Sequence, residues 1–245
     1  MNPIVLIPAR MASARLPGKP LADIAGRAMI LRVLDQALAA GIGPVAVAAG
    51  DPEILAAVTA AGGTAVLTDP GLASGSDRIF AALQMLDPGG KHDAVVNLQG
   101  DLPALDPAQI RAVLAALGNA DIATLAAPIT DPAERDNPAV VKAIVDWKGD
   151  HGRALDFTRT APPHSSNNAE IFHHVGIYAY TRAALARFVA LPPSPREIER
   201  KLEQLRALDA HMTIEVARVD TTPLSVDTPA DLERARAFFR QREKS

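Results

Sequence analysis

The chain has 245 residues and a mass of 25.7 kDa, enough for one large α/β domain or two small ones without covalent staples. Lys and Arg number 25 against 28 Asp and Glu, a net charge of −3. No overall attraction to nucleic acid or an anionic membrane is expected, and any anion site has to be a local cluster. With no cysteine, disulfides, thiolate nucleophiles, Cys-ligated zinc and iron–sulfur clusters are excluded. Apolar residues make up 48% and charged residues 22%, so global disorder is excluded too. Aromatics are only 4%, which leaves the core to Ala, Val, Leu and Ile.

The opening Met1–Pro8 has no basic region and too short an apolar run for a signal peptide. The longer uncharged stretches fall short of the roughly 18 apolar residues a spanning helix needs. The reading is a soluble, cytoplasmic protein.

Short apolar runs alternate with amphipathic stretches. Ile4–Ile7, Val45–Ala48, Ala65–Leu67, Ala94–Leu98 and Ile122–Leu125 read as strands buried on both faces. Ile30, Leu31, Leu34 and Leu38 form one helical stripe, and Ile79, Phe80, Leu83 and Leu86 another. Helix starts are marked by Asp51-Pro52, by capping boxes at Asp106 and Ser194, and by Thr228-Pro229. The Ser194 helix is expected to carry Ile198, Leu202 and Leu205 on one face. The β-α-β-α series predicts an α/β fold with a mostly parallel, doubly wound sheet.

Residues 131–182 differ. Val140–Val145 and His173–Tyr180 look like strands with no helix between them, separated by a polar loop over 161–168. In the second strand, Val175, Ile177 and Ala179 face one way, and His174, Gly176, Tyr178 and Tyr180 the other. The expected organisation is a single domain over 1–245 with an inserted β-hairpin at about 131–182, forming a lid or dimer contact. His164 and His173 read as structural or exposed, and Met11, Met29 and Trp147 as packing residues.

Three places carry chemistry. The loop after the first strand holds Arg10, Arg15 and Lys19 among small residues. A loop beyond the carboxyl end of a parallel strand is where α/β sheets bind ligands, and three converging cations suit a triphosphate. Neither the Walker nor the dinucleotide glycine pattern is present. Asp101 follows the strand Ala94–Leu98 and suits Mg²⁺, which takes one or two carboxylates plus substrate phosphates; a turn Asp is the plain alternative. Asp227 follows Pro223–Val226 and precedes a helix, where it could simply favour the helix dipole. If both runs end at one sheet edge, the carboxylates converge, and two close carboxylates need a cation.

At these places the chain resembles the 3-deoxy-manno-octulosonate cytidylyltransferases, the CMP-Kdo synthetases of bacterial lipopolysaccharide synthesis. The signatures are Ile7-Pro8-Ala9-Arg10 through Arg15-Leu16-Pro17-Gly18-Lys19-Pro20-Leu21, Ser74-Gly75-Ser76-Asp77-Arg78 and Gln99-Gly100-Asp101. Asn137-Pro138, His174-Val175-Gly176-Ile177-Tyr178, Leu202-Glu203-Gln204-Leu205-Arg206 and Val226-Asp227-Thr228-Pro229 follow in order. Ala179 and Ser225 stand where the family has glycine. The resemblance implies a Rossmann-like, glycosyltransferase-A-like nucleotidyltransferase that makes CMP-Kdo and pyrophosphate from CTP and Kdo with Mg²⁺. It implies that Arg10, Arg15, Lys19 and Arg78 hold the triphosphate, that Lys19 is catalytic with Asp101 and Asp227, and that these two aspartates hold the metal. Gln99, Arg159, His174, Tyr178, Glu203 and Gln204 would line the sugar pocket, with Arg159 suited to the sugar carboxylate. A homodimer is implied by the same analogy. The rival readings are a cytidylyltransferase for sialic acid or 8-amino-Kdo and a non-catalytic nucleotide-binding protein. The second predicts loss of Lys19, Asp101 or Asp227, and all three are present.

Overall fold

The computed structural model describes residues 1–160 and 171–242. The expected polar loop 161–168, with His164, lies outside the described residues. The chain divides into two compact units, Met1–Arg111 with Pro223–Ser245, and Ala112–Thr222. The 131–182 stretch is thus part of a larger second unit.

The first unit is built on β1 (Pro3–Ala9). A short turn of 3-10 helix over Lys19–Leu21 and a small hairpin, β2 (Asp23–Ile24) and β3 (Arg27–Ala28), lead to α1 (Met29–Ala40). Then come β4 (Val45–Ala49), α2 (Pro52–Ala60), β5 (Ala65–Leu67), α3 (Gly75–Leu86) and β6 (Ala94–Asn97). The strand order is β5-β4-β1-β6, with every pairing parallel. The expected strands are therefore present, but β5 is a partly exposed edge, with Leu67 43% accessible, and is not buried on both faces. Within the two expected helical stripes, Ile30, Leu34, Ile79 and Leu83 are buried, whereas Leu38 is exposed.

The second unit begins with most of α4 (Pro107–Leu117) and continues through β7 (Ile122–Pro128), α5 (Pro132–Asp136), β8 (Lys142–Lys148) and β9 (His151–Thr158). After the undescribed residues come β10 (Phe172–Thr181), α6 (Arg182–Ala190), α7 (Pro195–Arg200), α8 (Leu205–Asp209) and β11 (Ile214–Arg218). Here the expectation of a mostly parallel sheet fails. Only β11 on β7 is parallel among the described pairings, and the others are antiparallel. The reason is connectivity: β8 and β9 are joined by a two-residue turn at Gly149, whose φ is 71°, and a tight hairpin can only join antiparallel strands. The pairing order β10-β7-β11-β9-β8 closes because β8 also pairs with β10, giving a small barrel-like ring.

The Ser194 capping box forms, but its helix stops at Lys201, which adopts φ 55°. Leu202 and Leu205 are buried, whereas Ile198 is 66% exposed; the single apolar face expected for this helix is broken by the left-handed residue. The chain then returns to the first unit, where α9 (Pro229–Arg242) buries Leu232, Ala235 and Phe239 against Ile24, Met29 and Val226. No helix among the described residues is long and apolar enough to cross a membrane.

Candidate active site

A cavity of about 460 Å³ opens in the first unit and is lined by Arg10, Arg15, Lys19, Arg78, Gln99, Asp101 and Asp227. Every triphosphate and metal residue named from sequence is thus brought to one place. Ser13, Leu72, Ser74 and Gly100 line it as well.

The carboxyl ends of β1 and β6 supply its floor. Gly100 permits their close approach: a Cβ there would lie 2.8 Å from the Pro8 carbonyl oxygen. Asp101 follows directly. Asp227 arrives from a distant stretch of chain, and three features hold it. Val226 is buried in the α9 cluster and its amide donates to the Asp101 carbonyl at 3.0 Å. The Asp227 amide donates to Asp231 at 3.1 Å. Thr228 and Asp231 cap α9 reciprocally. Burial opposes the charge of Asp231, but bonds from Arg234, Thr228 and two backbone amides outweigh it and hold its pKa at about 2. Pro223–Val226 forms no strand, so convergence comes from this anchored turn and not from two strands ending together.

Lys19 lies between the two carboxylates, 2.9 Å from Asp101 and 3.1 Å from Asp227. Burial disfavours its charge, but the two aspartates outweigh that cost and raise its pKa. Arg15 adds a contact of 3.0 Å to Asp227. The cation that two close carboxylates need is therefore supplied by the protein itself.

Arg78 is 2% exposed. It donates to Thr68 Oγ1 at 2.7 Å and to the Asp69 carbonyl at 3.1 Å, so it braces the 68–70 turn as well as lining the cavity. The Ser74 capping box opens α3 at the rim. Asp51, expected as a cap for α2, makes no side-chain cap bond; it accepts from the Met11 amide at 2.7 Å.

The remaining expected residues lie in the second unit. Two residues of β10, Gly176 and Ile177, have no partner in register with β7. Because the bulge is two residues long, the alternation survives it, and His174, Tyr178 and Tyr180 stack along one face with ring centroids 5.6 and 6.0 Å apart. The buried Thr124 hydroxyl sits inside the bulge, 2.8 Å from the Ile177 carbonyl and 3.0 Å from His174 Nε2. A hydroxyl has one proton, so donation to the carbonyl leaves it accepting from a protonated Nε2. Burial, assisted by neighbouring His173, pushes the His174 pKa down to about 3, so the ring is neutral. Burial, then Tyr180 and Glu203, push the Tyr178 phenol well above its usual value; it stays a hydroxyl donor. Gln204 is buried at the start of α8, and Glu203 precedes it. The Arg159 guanidinium donates to the backbone carbonyls of Pro138, Arg200 and Lys201 at 3.2–3.4 Å. Lys142 is fully buried and donates to the Asn137 and Arg159 carbonyls.

The packing expectations hold for Met29, which is fully buried, and for Trp147, whose ring lies 4.6 Å from that of Phe172. His173 faces Glu134 at 3.4 Å.

A pocket at the carboxyl ends of parallel strands, walled by cations and two carboxylates, defines a nucleotide-handling α/β protein. The cytidylyltransferase family model matches residues 4–214. A 3-deoxy-manno-octulosonate cytidylyltransferase of Parvibaculum lavamentivorans is 59% identical, with 98% of this chain and 94% of that protein covered. One from Rhodospirillum centenum is 60% identical over 97% and 93%. The chain belongs to the 3-deoxy-manno-octulosonate cytidylyltransferase family. A solved structure of CMP:2-keto-3-deoxy-manno-octonic acid synthetase complexed with CTP matches with a TM-score of 0.91 at 39% identity, covering 99% of this chain and all of that one. The 4-diphosphocytidyl-2C-methyl-D-erythritol synthase of Anaerococcus prevotii shares the fold, with a TM-score of 0.65 at 13% identity over 98% and 99% of the two chains.

Proposed function

We propose that this protein transfers the cytidylyl group of CTP to the anomeric hydroxyl of Kdo, for lipopolysaccharide synthesis in the cytoplasm. The observation that carries the reading is the convergence of Arg10, Arg15, Lys19, Asp101 and Asp227 on one cavity in a chain of this family. The hydroxyl oxygen bonds to the α-phosphorus as the bond to the α–β bridging oxygen breaks; pyrophosphate leaves with that oxygen, and the hydroxyl proton passes to solvent water. Such a transfer is mostly positioning and charge stabilisation. Arg10, Arg15, Lys19 and Arg78 neutralise the triphosphate, and Lys19 is a point charge in contact with both carboxylates.

Mg²⁺ suits the donor set. Two carboxylates already share one cation, the Lys19 ammonium, and Mg²⁺ takes one or two carboxylates with substrate phosphates completing the shell. Asp101 and Asp227 would hold it, and when bound it supplies charge neutralisation at the α-phosphate.

For the sugar, Gln99, Arg159, His174, Tyr178, Glu203 and Gln204 are put forward from the family resemblance. The neutral His174 and the protonated Tyr178 phenol are hydroxyl-recognising groups. Arg159, bonded to three carbonyls, has to release at least one to grip a carboxylate. Parallel strands joined by helices in the first unit support the Rossmann-like, doubly wound reading for that half. A homodimer follows from the resemblance alone.

Pyrophosphate release from CTP with Kdo, with 8-amino-Kdo, with sialic acid and without sugar tests the reading. Rapid release with Kdo alone is expected; release without sugar or only with sialic acid would overturn it. ATP and GTP should be poor donors, because a site fitted to the cytosine edge leaves polar groups unpaired with another base.

A further inference from the structure

We propose that Asp51 is a positioning residue for the nucleotide: its carboxylate pins the Met11 peptide and so sets both ends of the basic loop. The inference rests on the cytidylyl-transfer reading. Asp51 ends the segment after β4 with a β-region backbone and a proline next in sequence, yet its side chain makes no bond to α2. Its Oδ2 reaches forty positions back to the Met11 amide, at 2.7 Å. Met11 is the pivot of the loop. Arg10 precedes it, and its carbonyl accepts from Gly18, immediately before Lys19, at 3.3 Å. One carboxylate thus acts through one residue, by way of the two peptide groups that flank Met11, on the cations at both ends of the loop. The placement is reinforced from β4: the Gly50 amide donates to the Ala9 carbonyl at 2.8 Å. A Cβ on Gly50 would come within 2.8 Å of Arg78 Nη1 and 3.2 Å of Arg10 Cβ. The backbone next to Asp51 thus runs against Arg78 and the base of Arg10. After burial, Arg10 disfavours the Arg78 charge and Asp51 favours it, so the Asp51 carboxylate offsets the repulsion between the two cations. A bond of 2.7 Å to a carboxylate is of the charge-assisted kind, which suits a clamp on a loop that is otherwise short of ladder bonds.

CTP binding by calorimetry and steady-state kinetics on wild type, Asp51→Ala and Asp51→Asn test the inference. Asp51→Ala should weaken CTP binding and raise the CTP KM by about tenfold or more, the factor that a charge-assisted bond of ~1.4 kcal/mol represents. The sugar KM should be unchanged. Asp51→Asn keeps an acceptor oxygen but removes the charge, so its loss should be clearly smaller than that of Asp51→Ala and larger than none. In the wild-type protein the Met11 amide should exchange with solvent far more slowly than that of exposed Ala14, a readout that needs no variant to fold. Unchanged CTP binding in Asp51→Ala, equal loss in Asn and Ala, or fast exchange at Met11 would each overturn this inference alone. Failure of the wild-type protein to bind CTP would overturn the activity reading with it.

Discussion

Lys19 shows how a single side chain serves the ligand-free site. Its ammonium bridges Asp101 and Asp227, so in the free protein the carboxylates are neutralised without a metal. Asp101→Asn and Asp227→Asn each keep the shape and remove a charge that the proposed reaction uses. Each should lower kcat by about a hundredfold or more, the scale of losing one preorganised electrostatic contact. Stability should move by no more than about 1 kcal/mol, because both carboxylates are partly exposed, 28% and 39%. Urea unfolding beside the kinetics decides it: a stability loss with activity per folded molecule intact would make Asp227 a helix-end residue only. Gly100→Ala should act differently. Its Cβ would sit 2.8 Å from the Pro8 carbonyl, on the backbone of the central strand, so about 1–3 kcal/mol of overpacking strain is expected. Asp101 would be displaced with it. A fall in both melting temperature and kcat is the expected pair of results, and a neutral variant would show that β1 and β6 have slack there.

At the scale of elements, local rules succeed where one bond decides and fail where backbone conformation is imposed from outside. The Ser194 box forms as its spacing dictates. Its helix ends early because Lys201 turns left-handed, and Glu197 is held by Arg206 through two bonds of 2.8 and 2.6 Å; no periodicity encodes that clamp. The β9 strand was missed, although Gly149-Asp150 between Lys148 and His151 carries a hairpin signal that could have found it. The β2–β3 hairpin offers a direct test. Ala25 and Gly26 have φ of 50° and 76°, the conformation that Asn-Gly prefers over Ala-Gly. Ala25→Asn should stabilise the protein by about 0.5–1 kcal/mol, since a left-handed alanine carries a backbone cost. Arg32, which donates to the Ile24 and Ala25 carbonyls, holds the turn in place for the comparison. Thermal unfolding of the variant checks it, and a lower melting temperature would count against the turn geometry.

For the molecule as a whole, the perturbed groups predict an asymmetric pH profile. His174 is held down at about 3, from an ordinary 6.5, chiefly by burial, and His173 is lowered for the same first reason. The unfolded chain therefore binds more protons than the folded one below pH 6.5, and stability falls as pH falls. A second loss comes as Asp231, at about 2, and Asp209, lowered mainly by Arg196, are forced to protonate. On the alkaline side Tyr178 is raised above 10 by burial; its contribution is complete below pH 10 and lost above. Stability should decline by about 1.4 kcal/mol per pH unit through His174 between pH 6 and 4, with His173 adding to the loss in the same direction. Urea midpoints at pH 7, 6 and 5 for wild type and His174→Gln test the assignment: the variant should lose part of the slope, and an unaltered slope would remove His174 as its source.

The meeting of Arg10, Arg15, Lys19 and Asp101 in one cavity was legible in sequence because the three cations share the loop after β1 and Asp101 lies just past β6. Arg78, by contrast, entered only through the resemblance, and the run before Asp227 forms no strand. Arg10 follows β1 and Asp101 follows β6, and strand ends in a parallel sheet share one edge whatever the rest of the chain does. The alternation of β10 was legible too, since a two-residue bulge preserves parity. What sequence could not supply was pairing direction in the second unit, the early end of α7, or the use of Asp51. β11 and Asp51 lie far along the chain from the β9 and Met11 they meet, and α7 ends on the left-handed backbone of Lys201 beside the Arg206–Glu197 clamp. Residue type at Asp51 and Asp227 states only what a carboxylate can bond. Which donor it meets was decided when the tertiary fold delivered Met11 to one, and Lys19 and Arg15 to the other.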